Sequence, residues 1–348
     1  MKRKFSIGVV GTGMWGDTHV KCLKEDGRAT VSWICARTRT SLDAAMERHG
    51  VVNGTLDYRR ILGDDDVDAV VIATPPHTHA EMAVTAMRAG KHVLLEKPMG
   101  ITPAEVKRIV AEAKRHPRRV VLEASCRISR TQPKFAFVKK LVDSGALGTV
   151  YHIHFQMMIP TTFVDYNPKG AWGAQKKLAG GGPVIDWGEY DFSFLLGVLG
   201  DVPKVERVQR FSRNDLRRQK LPGGIVPDVE QHAAAFIMFD NGVTCYYERG
   251  ASAHMMADCE VRICGTKGGL KFSYLEWDRP EIEFFRAGRN GTGPTERKTL
   301  VVDMARKPDN CNTLLVRHFL DCLEGKAKPM MPVERAAKHL LLSLKIAG

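Results

Sequence analysis

Gly8-Val-Val-Gly11-Thr-Gly13-Met-Trp-Gly16 decides the reading of the N-terminal third. The run follows an apolar stretch beginning at Phe5 and opens a segment, residues 14–25, with helical periodicity. A strand that turns through glycines into a helix is one half of a βαβ unit. Each glycine has its own use there. Gly11 makes the tight turn, Gly13 lets backbone N–H groups approach a pyrophosphate, and Gly16 allows close packing of helix on strand. The helix N-terminus adds partial positive charge at the same place. Gly11, Thr12, Gly13, Met14, Trp15 and Gly16 are therefore the expected cradle of a dinucleotide. A glycine turn without a ligand is the alternative, and the strand–turn–helix context argues against it.

Outward from this loop the pattern alternates. Residues 30–35 read as a second strand and 40–49 as a helix closed by Gly50. Ala69-Val-Val-Ile-Ala73 is a continuous apolar strand, as in a parallel sheet covered on both faces. Residues 78–89 are helical, with Gly90 ending them. Thr102, Pro103 and Glu105 form a helix start with a capping box. Residues 120–124 give a last strand. The alternation predicts an α/β, doubly wound parallel sheet over residues 1–126.

A second stretch fixes the chemistry's address. Ala89-Gly-Lys-His-Val-Leu-Leu-Glu-Lys-Pro-Met99 reads as a short buried strand ending in Glu96-Lys97-Pro98. In open α/β sheets ligands bind beyond the carboxyl ends of the strands. Lys97 is thus expected near the reacting end of the dinucleotide, with Glu96 beside it. Ala73, Thr74, Pro75 and His79 are expected to line the same cleft, because Pro75-Pro76 stops a strand and leaves the sheet edge open. His77 and His79 alone are too few ligands for a metal, and no metal site is expected.

The second strand carries a preference. Nicotinamide folds that take NAD usually place a carboxylate about 20 residues past the loop. Twenty residues after Gly16 is Ala36, and the run Ile34-Cys-Ala-Arg-Thr-Arg39 has no carboxylate before Asp43. Nothing there repels a 2′-phosphate, and Arg37, Thr38 and Arg39 offer donors to it. NADP is the expected cofactor, with NAD possible. The alternative is a set of solvated helix-start arginines with no bearing on the cofactor.

After residue 126 the pattern changes. A helix over 133–144 is followed by strand-like segments at 149–158, 203–211, 230–239, 243–252, 259–264, 269–274, 281–286 and 298–303. One helix, 184–199, interrupts them, and two more (312–324, 333–346) end the chain. Asp240-Asn-Gly242 marks a hairpin. Residues 127–348 are expected to form an α/β domain with a large, mostly antiparallel open sheet that binds substrate and joins subunits. An open sheet face needs a helix layer or a partner.

The chain has 348 residues and net charge +13. Its basic residues are dispersed, apart from Arg213, Arg217, Arg218 and Lys220, and no nucleic-acid motif accompanies them. An anionic cofactor explains some of the charge. No apolar run approaches a membrane span. The apolar start runs straight into the glycine loop, so it reads as a strand rather than a leader. The eight cysteines are scattered without a CxxC pair. Reduced, buried thiols in a cytoplasmic enzyme are the expectation.

These motifs, with Ala73-Thr-Pro-Pro-His-Thr-His79, Gly180-Gly-Gly-Pro-Val-Ile-Asp186 and Gly265-Thr-Lys-Gly268 in the same order, resemble the glucose-fructose oxidoreductase, inositol dehydrogenase and rhizopine-catabolism (Gfo/Idh/MocA) family. The resemblance covers nearly the whole chain. It implies a Rossmann domain, a second domain whose sheet face commonly forms the dimer contact, and sugar-like, polyol or keto substrates. It implies that Lys97 matches the catalytic lysine and precedes a cis proline. A homodimer or homotetramer follows from the same resemblance. The family often has Asp-x-Gly-x-His-x-x-Asp after the triple glycine. Here the run is Asp186-Trp-Gly188-Glu-Tyr190-Asp-Phe-Ser193, so tyrosine replaces histidine and serine the second aspartate. Trp172-Gly173 stands where a Trp-Arg pair is common. These departures argue against inositol dehydrogenase activity specifically.

Hydride transfer from an alcohol needs a base for the hydroxyl proton, and reduction of a ketone needs the same group as an acid. Free tyrosine, with a pKa near ~10, is a poor base at neutral pH. A nearby ammonium favours phenolate, so Lys97 and Tyr190 are the expected acid–base pair. Lys97 can also stabilise developing alkoxide charge. Asp186, four residues before Tyr190, shares its helix face and is expected to orient substrate or Lys97. Each has a plainer alternative: a core tyrosine for Tyr190 and a helix cap for Asp186. Trp172 is expected either to stack on a sugar or to pack in the core. Three rival functions stay open at this point: an NAD-dependent polyol or sugar dehydrogenase, a glycoside-cleaving relative with tightly held nicotinamide, and a non-catalytic NADP sensor.

Overall fold

The computed structural model describes residues 3–201, 203–215, 220–221, 224–275, 277–288, 295–304 and 310–348. Arg217 and Arg218 of the basic cluster lie outside the described residues. The chain divides into two compact units: residues 1–127 with 309–340, and residues 128–308 with 341–348. This differs from a single boundary after residue 126, because a C-terminal stretch returns to the first unit.

The first unit is built on a parallel sheet of β1 (Phe5–Val10), β2 (Ala29–Cys35), β3 (Asn53–Thr55), β4 (Ala69–Ile72), β5 (His92–Leu95) and β6 (Val121–Glu123). Their order is β3-β2-β1-β4-β5-β6, so the order reverses between β1 and β4. That is the switch point where the carboxyl ends of strands open a crevice. β1, β4 and β5 are buried almost throughout, which is why they read as unbroken apolar runs. The crossovers are α1 (Met14–Asp26), α2 (Arg39–His49), α3 (Arg59–Leu62), α4 (His79–Arg88) and α5 (Pro103–Arg115). Thr102 and Glu105 form the expected capping box of α5. β3 escaped the sequence reading because Asn53-Gly-Thr55 has no apolar run. A Cβ on its middle residue, Gly54, would meet Met46 Sδ at 2.1 Å, so the Met46 side chain would have to move to admit one.

After α6 (Cys126–Ser129), the second unit begins with α7 (Pro133–Asp143) and β7 (Val150–Met158). Short helices α8 (Phe163–Tyr166) and α9 (Lys176–Ala179) precede the long α10 (Pro183–Val198). Sequence periodicity had shown only the last of these three, since four-residue helices carry no periodicity to read. Seven strands follow: β8 (Val205–Arg213), β9 (His232–Phe239), β10 (Thr244–Gly250), β11 (Asp258–Gly265), β12 (Gly268–Phe272), β13 (Glu281–Arg286) and β14 (Glu296–Val301). They form one sheet in the order β14-β13-β12-β11-β7-β10-β9-β8. All neighbours are antiparallel except β7 and β10, which run parallel. The β9–β10 turn is closed by Asp240-Asn-Gly242, with Gly242 at φ +80°.

The chain ends in α11 (Cys311–Leu323) and α12 (Val333–Ala347). α11 is held in the first unit by Arg28, whose guanidinium meets Asp321 at 2.6 Å and Glu324 at 2.8 Å.

Candidate active site

The glycine loop has the geometry its sequence calls for. Gly11 stands at φ +107°, and a Cβ on it would lie 2.3 Å from the Ala73 carbonyl oxygen. A Cβ on Gly16 would lie 2.0 Å from the Gly11 carbonyl oxygen. Neither position admits a side chain. Gly13 differs, since nothing stands within 4 Å of its would-be Cβ. Gly13 is also the N-cap of α1 and supplies no side-chain acceptor. Gly13 thus leaves room at the N-terminus of a 13-residue helix, whose first N–H groups have no partner within the helix, and this fits a pyrophosphate.

At the end of β2, Ala36 is buried and donates its N–H to Thr55 O at 3.2 Å. Thr38 caps α2 through its hydroxyl, which accepts from Ser41 N. Arg39 is drawn into an i,i+4 ion pair with Asp43 at 2.9 Å. Arg37 is exposed and enters no hydrogen bond or ion pair among the described residues.

The loop after β4 is braced from within. His79 is 1% exposed, and its ring nitrogens stand 2.7 Å from two carbonyl oxygens, those of Pro98 and Thr74. Burial lowers its affinity for a proton, so the neutral ring donates to one carbonyl at a time. The sequence made His79 a cleft-lining group. The structure turns it inward, where it ties Thr74 to the Lys97–Pro98 segment. That peptide bond is cis, as the resemblance implied.

Glu96 is the centre of a buried charge cluster that local sequence could not reveal. Its carboxylate accepts from His19 Nε2 at 2.7 Å and from the fully buried Arg127 guanidinium at 2.5 Å. Lys97 N also donates to it, at 3.3 Å. Burial opposes the charge, but Arg127 and His19 outweigh it and hold the Glu96 pKa far below the usual carboxylate range. Arg127 in turn lies over the Trp15 ring, 3.9 Å from its centroid. One guanidinium thus connects the glycine loop to the residue that precedes Lys97.

In the second unit α10 carries both Asp186 and Tyr190, one turn apart on one face. Asp186 is not the helix cap, since its N–H already bonds the Gly182 carbonyl within the first turn. Glu230 does the capping instead. Its carboxylate, 7% exposed, accepts from Gly182 N at 2.7 Å and Val184 N at 3.1 Å. Tyr190 is 2% exposed and meets Trp187 edge to face, with centroids 5.5 Å apart. Trp277 continues this aromatic row at 6.1 Å from Trp187. Trp172 packs against Phe163 at 5.5 Å.

Asp191, next to Tyr190, anchors the helix to its sheet. Arg249 donates to both its oxygens at 2.7 and 2.6 Å, Tyr247 to Oδ2 at 2.8 Å and Tyr274 to Oδ1 at 2.6 Å. Burial and the Asp191 charge push both phenols well above their ordinary pKa, so they stay protonated donors. Ser193 bonds Ser129 Oγ at 2.6 Å and is fully buried.

The comparisons agree with this architecture. Residues 5–124 match the model of an oxidoreductase family with an NAD-binding Rossmann fold, and residues 135–271 match that family's C-terminal domain. Levoglucosan dehydrogenase of Pseudarthrobacter phenanthrenivorans is 30% identical over 84% of this chain and 81% of its own. The chain belongs to the Gfo/Idh/MocA oxidoreductase family. Oxidoreductase P35 of Formosa agariphila is 26% identical over 79% of this chain and 81% of its own. Among solved structures, levoglucosan dehydrogenase in complex with NADH has a TM-score of 0.83 at 23% identity, covering 99% of this chain and 96% of that one. At that identity the likeness speaks to the fold. As a member of this family the chain is an oxidoreductase with a nicotinamide-dinucleotide-binding domain. Among the described residues no His, Cys, Asp or Glu cluster could hold a metal, and no helix is long and apolar enough to cross a membrane.

Proposed function

We propose that the chain moves a hydride between a nicotinamide, NADP(H) in preference, and a hydroxyl or carbonyl carbon of a sugar, polyol or ketosugar. The observation that carries this reading is the open glycine loop on the same sheet whose β5 leads into Lys97, two residues past its last residue. Gly11, Thr12, Gly13, Met14, Trp15 and Gly16 would hold the pyrophosphate, and Ala36, Arg37 and Thr38 the adenosine ribose. The nicotinamide, when bound, supplies the hydride acceptor or donor. Tyr190 takes the hydroxyl proton during oxidation and returns it during reduction. The Lys97 ammonium favours the phenolate and steadies the developing alkoxide. Asp186 orients the substrate or Lys97. The family relatives support the substrate class, since those named levoglucosan dehydrogenase and inositol 2-dehydrogenase take sugar-like alcohols.

Ala36 and the unengaged Arg37 favour NADP. A second reading, NAD-dependent oxidation, is favoured by the relative solved with NADH. The two part in a titration of the purified protein with NADPH and NADH, followed by nicotinamide fluorescence. NADPH is expected to bind at least about tenfold more tightly. Equal or tighter NADH binding overturns the preference, and binding of neither overturns the role given to the glycine loop. The same reading sets a second copy of the chain against the exposed face of the eight-stranded sheet.

A further inference from the structure

The buried ion pair of Glu96 and Arg127 has a third member that charge neutralisation does not need. Trp15 is the second residue of α1, directly after the glycine loop, and the Arg127 guanidinium carbon lies 3.9 Å from the centre of its ring. His19, one turn further along α1, meets the same Glu96 carboxylate at 2.7 Å. Arg127 is 0% exposed and Glu96 3%, so both charges are withdrawn from water. Trp15, by contrast, is half-buried. All four residues belong to the first unit.

A lysine would neutralise Glu96 as well as an arginine does. What arginine adds is a flat, weakly hydrated cation that bonds a carboxylate along its edge while an aromatic ring packs on its face. Arg127 makes both contacts. Its Nη1 and Nη2 reach the two Glu96 oxygens at 2.5 and 3.4 Å, and the same guanidinium lies over the indole. A half-buried indole has two side-chain torsions to be fixed. Contact with a desolvated cation selects one setting of them.

We propose that Arg127 is a positioning residue for the dinucleotide: it holds the Trp15 indole in the orientation that the nucleotide meets at the glycine loop, and lysine cannot replace it in that task. The inference rests on the glycine loop as the dinucleotide cradle in the reading above.

The test is a double-mutant cycle on nucleotide affinity in the full-length protein. It is followed by nicotinamide fluorescence, with whichever of NADPH and NADH the wild type binds more tightly. Arg127→Lys should weaken binding roughly fivefold or more, although its charge still neutralises Glu96. Trp15→Leu should weaken it by at least about the same factor. The double variant should lose no more than the worse of the two, because both changes remove one contact. An Arg127→Lys protein that binds as the wild type does overturns the proposal, and so do losses that multiply in the double variant. An arginine kept only for the fold would lower the urea midpoint of Arg127→Lys and leave its affinity unchanged. If Arg127→Lys does not fold, Glu96→Gln with Arg127→Met, which removes both buried charges together, takes its place in the cycle. On that background Trp15→Leu should change affinity by less than about twofold. A full Trp15→Leu loss there overturns the proposal. A wild type that binds neither nucleotide overturns the cradle reading and this proposal with it, whereas a wild type that binds beside an unimpaired Arg127→Lys overturns this proposal alone.

Discussion

Arg37 shows what one residue can settle. It is exposed beside Ala36, where a carboxylate would hold ribose hydroxyls, and Arg39, two residues on, is already committed to Asp43. A charge-assisted bond to a 2′-phosphate is worth about 1.5–3 kcal/mol, with the lower end suited to an exposed guanidinium. Arg37→Ala should therefore weaken NADPH binding about tenfold and leave NADH binding within about twofold. Ala36→Asp should act in the same direction by adding repulsion. Equal losses for both nucleotides in Arg37→Ala would return that arginine to the solvated surface. Residues of this kind are legible because their meaning lies in near neighbours. Glu96 is only half legible: its place at a strand end shows in the sequence, but Arg127 and His19 come from 31 and 77 positions away.

At the scale of elements, α10 is the instructive case. The triple glycine before it was recognisable as a motif, yet its physical reason is Glu230, 48 positions later in the chain from Gly182. A Cβ on Gly182 would fall 1.9 Å from the Glu230 carbonyl oxygen, and one on Gly181 2.9 Å from its carboxylate. The glycines let a carboxylate just ahead of β9 reach the N–H groups at the start of the helix that carries Asp186 and Tyr190. Gly182→Ala must push backbone against backbone and should cost roughly 2–4 kcal/mol. Urea unfolding should show a lower midpoint at unchanged slope. A wild-type midpoint would mean that the loop yields and that the close approach is not what the glycine is for. The Asp191 anchor was hidden for the same reason, since Tyr247, Arg249 and Tyr274 lie 56, 58 and 83 positions away.

For the whole molecule, alternation of strand and helix made the first sheet legible, and turn signals made the second. The return of α11 to the first unit was not legible, because an amphipathic helix does not name its partner; Arg28 does, through Asp321 and Glu324. The parallel pairing of β7 with β10 was equally hidden, since a two-residue period says nothing of strand direction. The period does say which face is left over. Along β9, Ala233, Ala235, Ile237 and Phe239 are buried, while Phe236 and Met238 between them are 46% and 39% exposed. Phe211 on β8, paired with Ala234, is 53% exposed. Apolar side chains gathered on one sheet face are a surface that water alone covers poorly. A second copy of the chain is the occupant that the family resemblance supplies. Replacing both Phe236 and Met238 with lysine puts like charges on the face and, across a two-fold axis, against themselves. Sedimentation velocity should then show a wild-type assembly of two or four chains and a double variant at the 38.7 kDa of one chain. Because neither side chain belongs to the core, the double variant should keep its far-UV spectrum and cooperative melt. A wild-type protein that sediments as a single chain, or a double variant that still assembles, would move the subunit contact off this sheet.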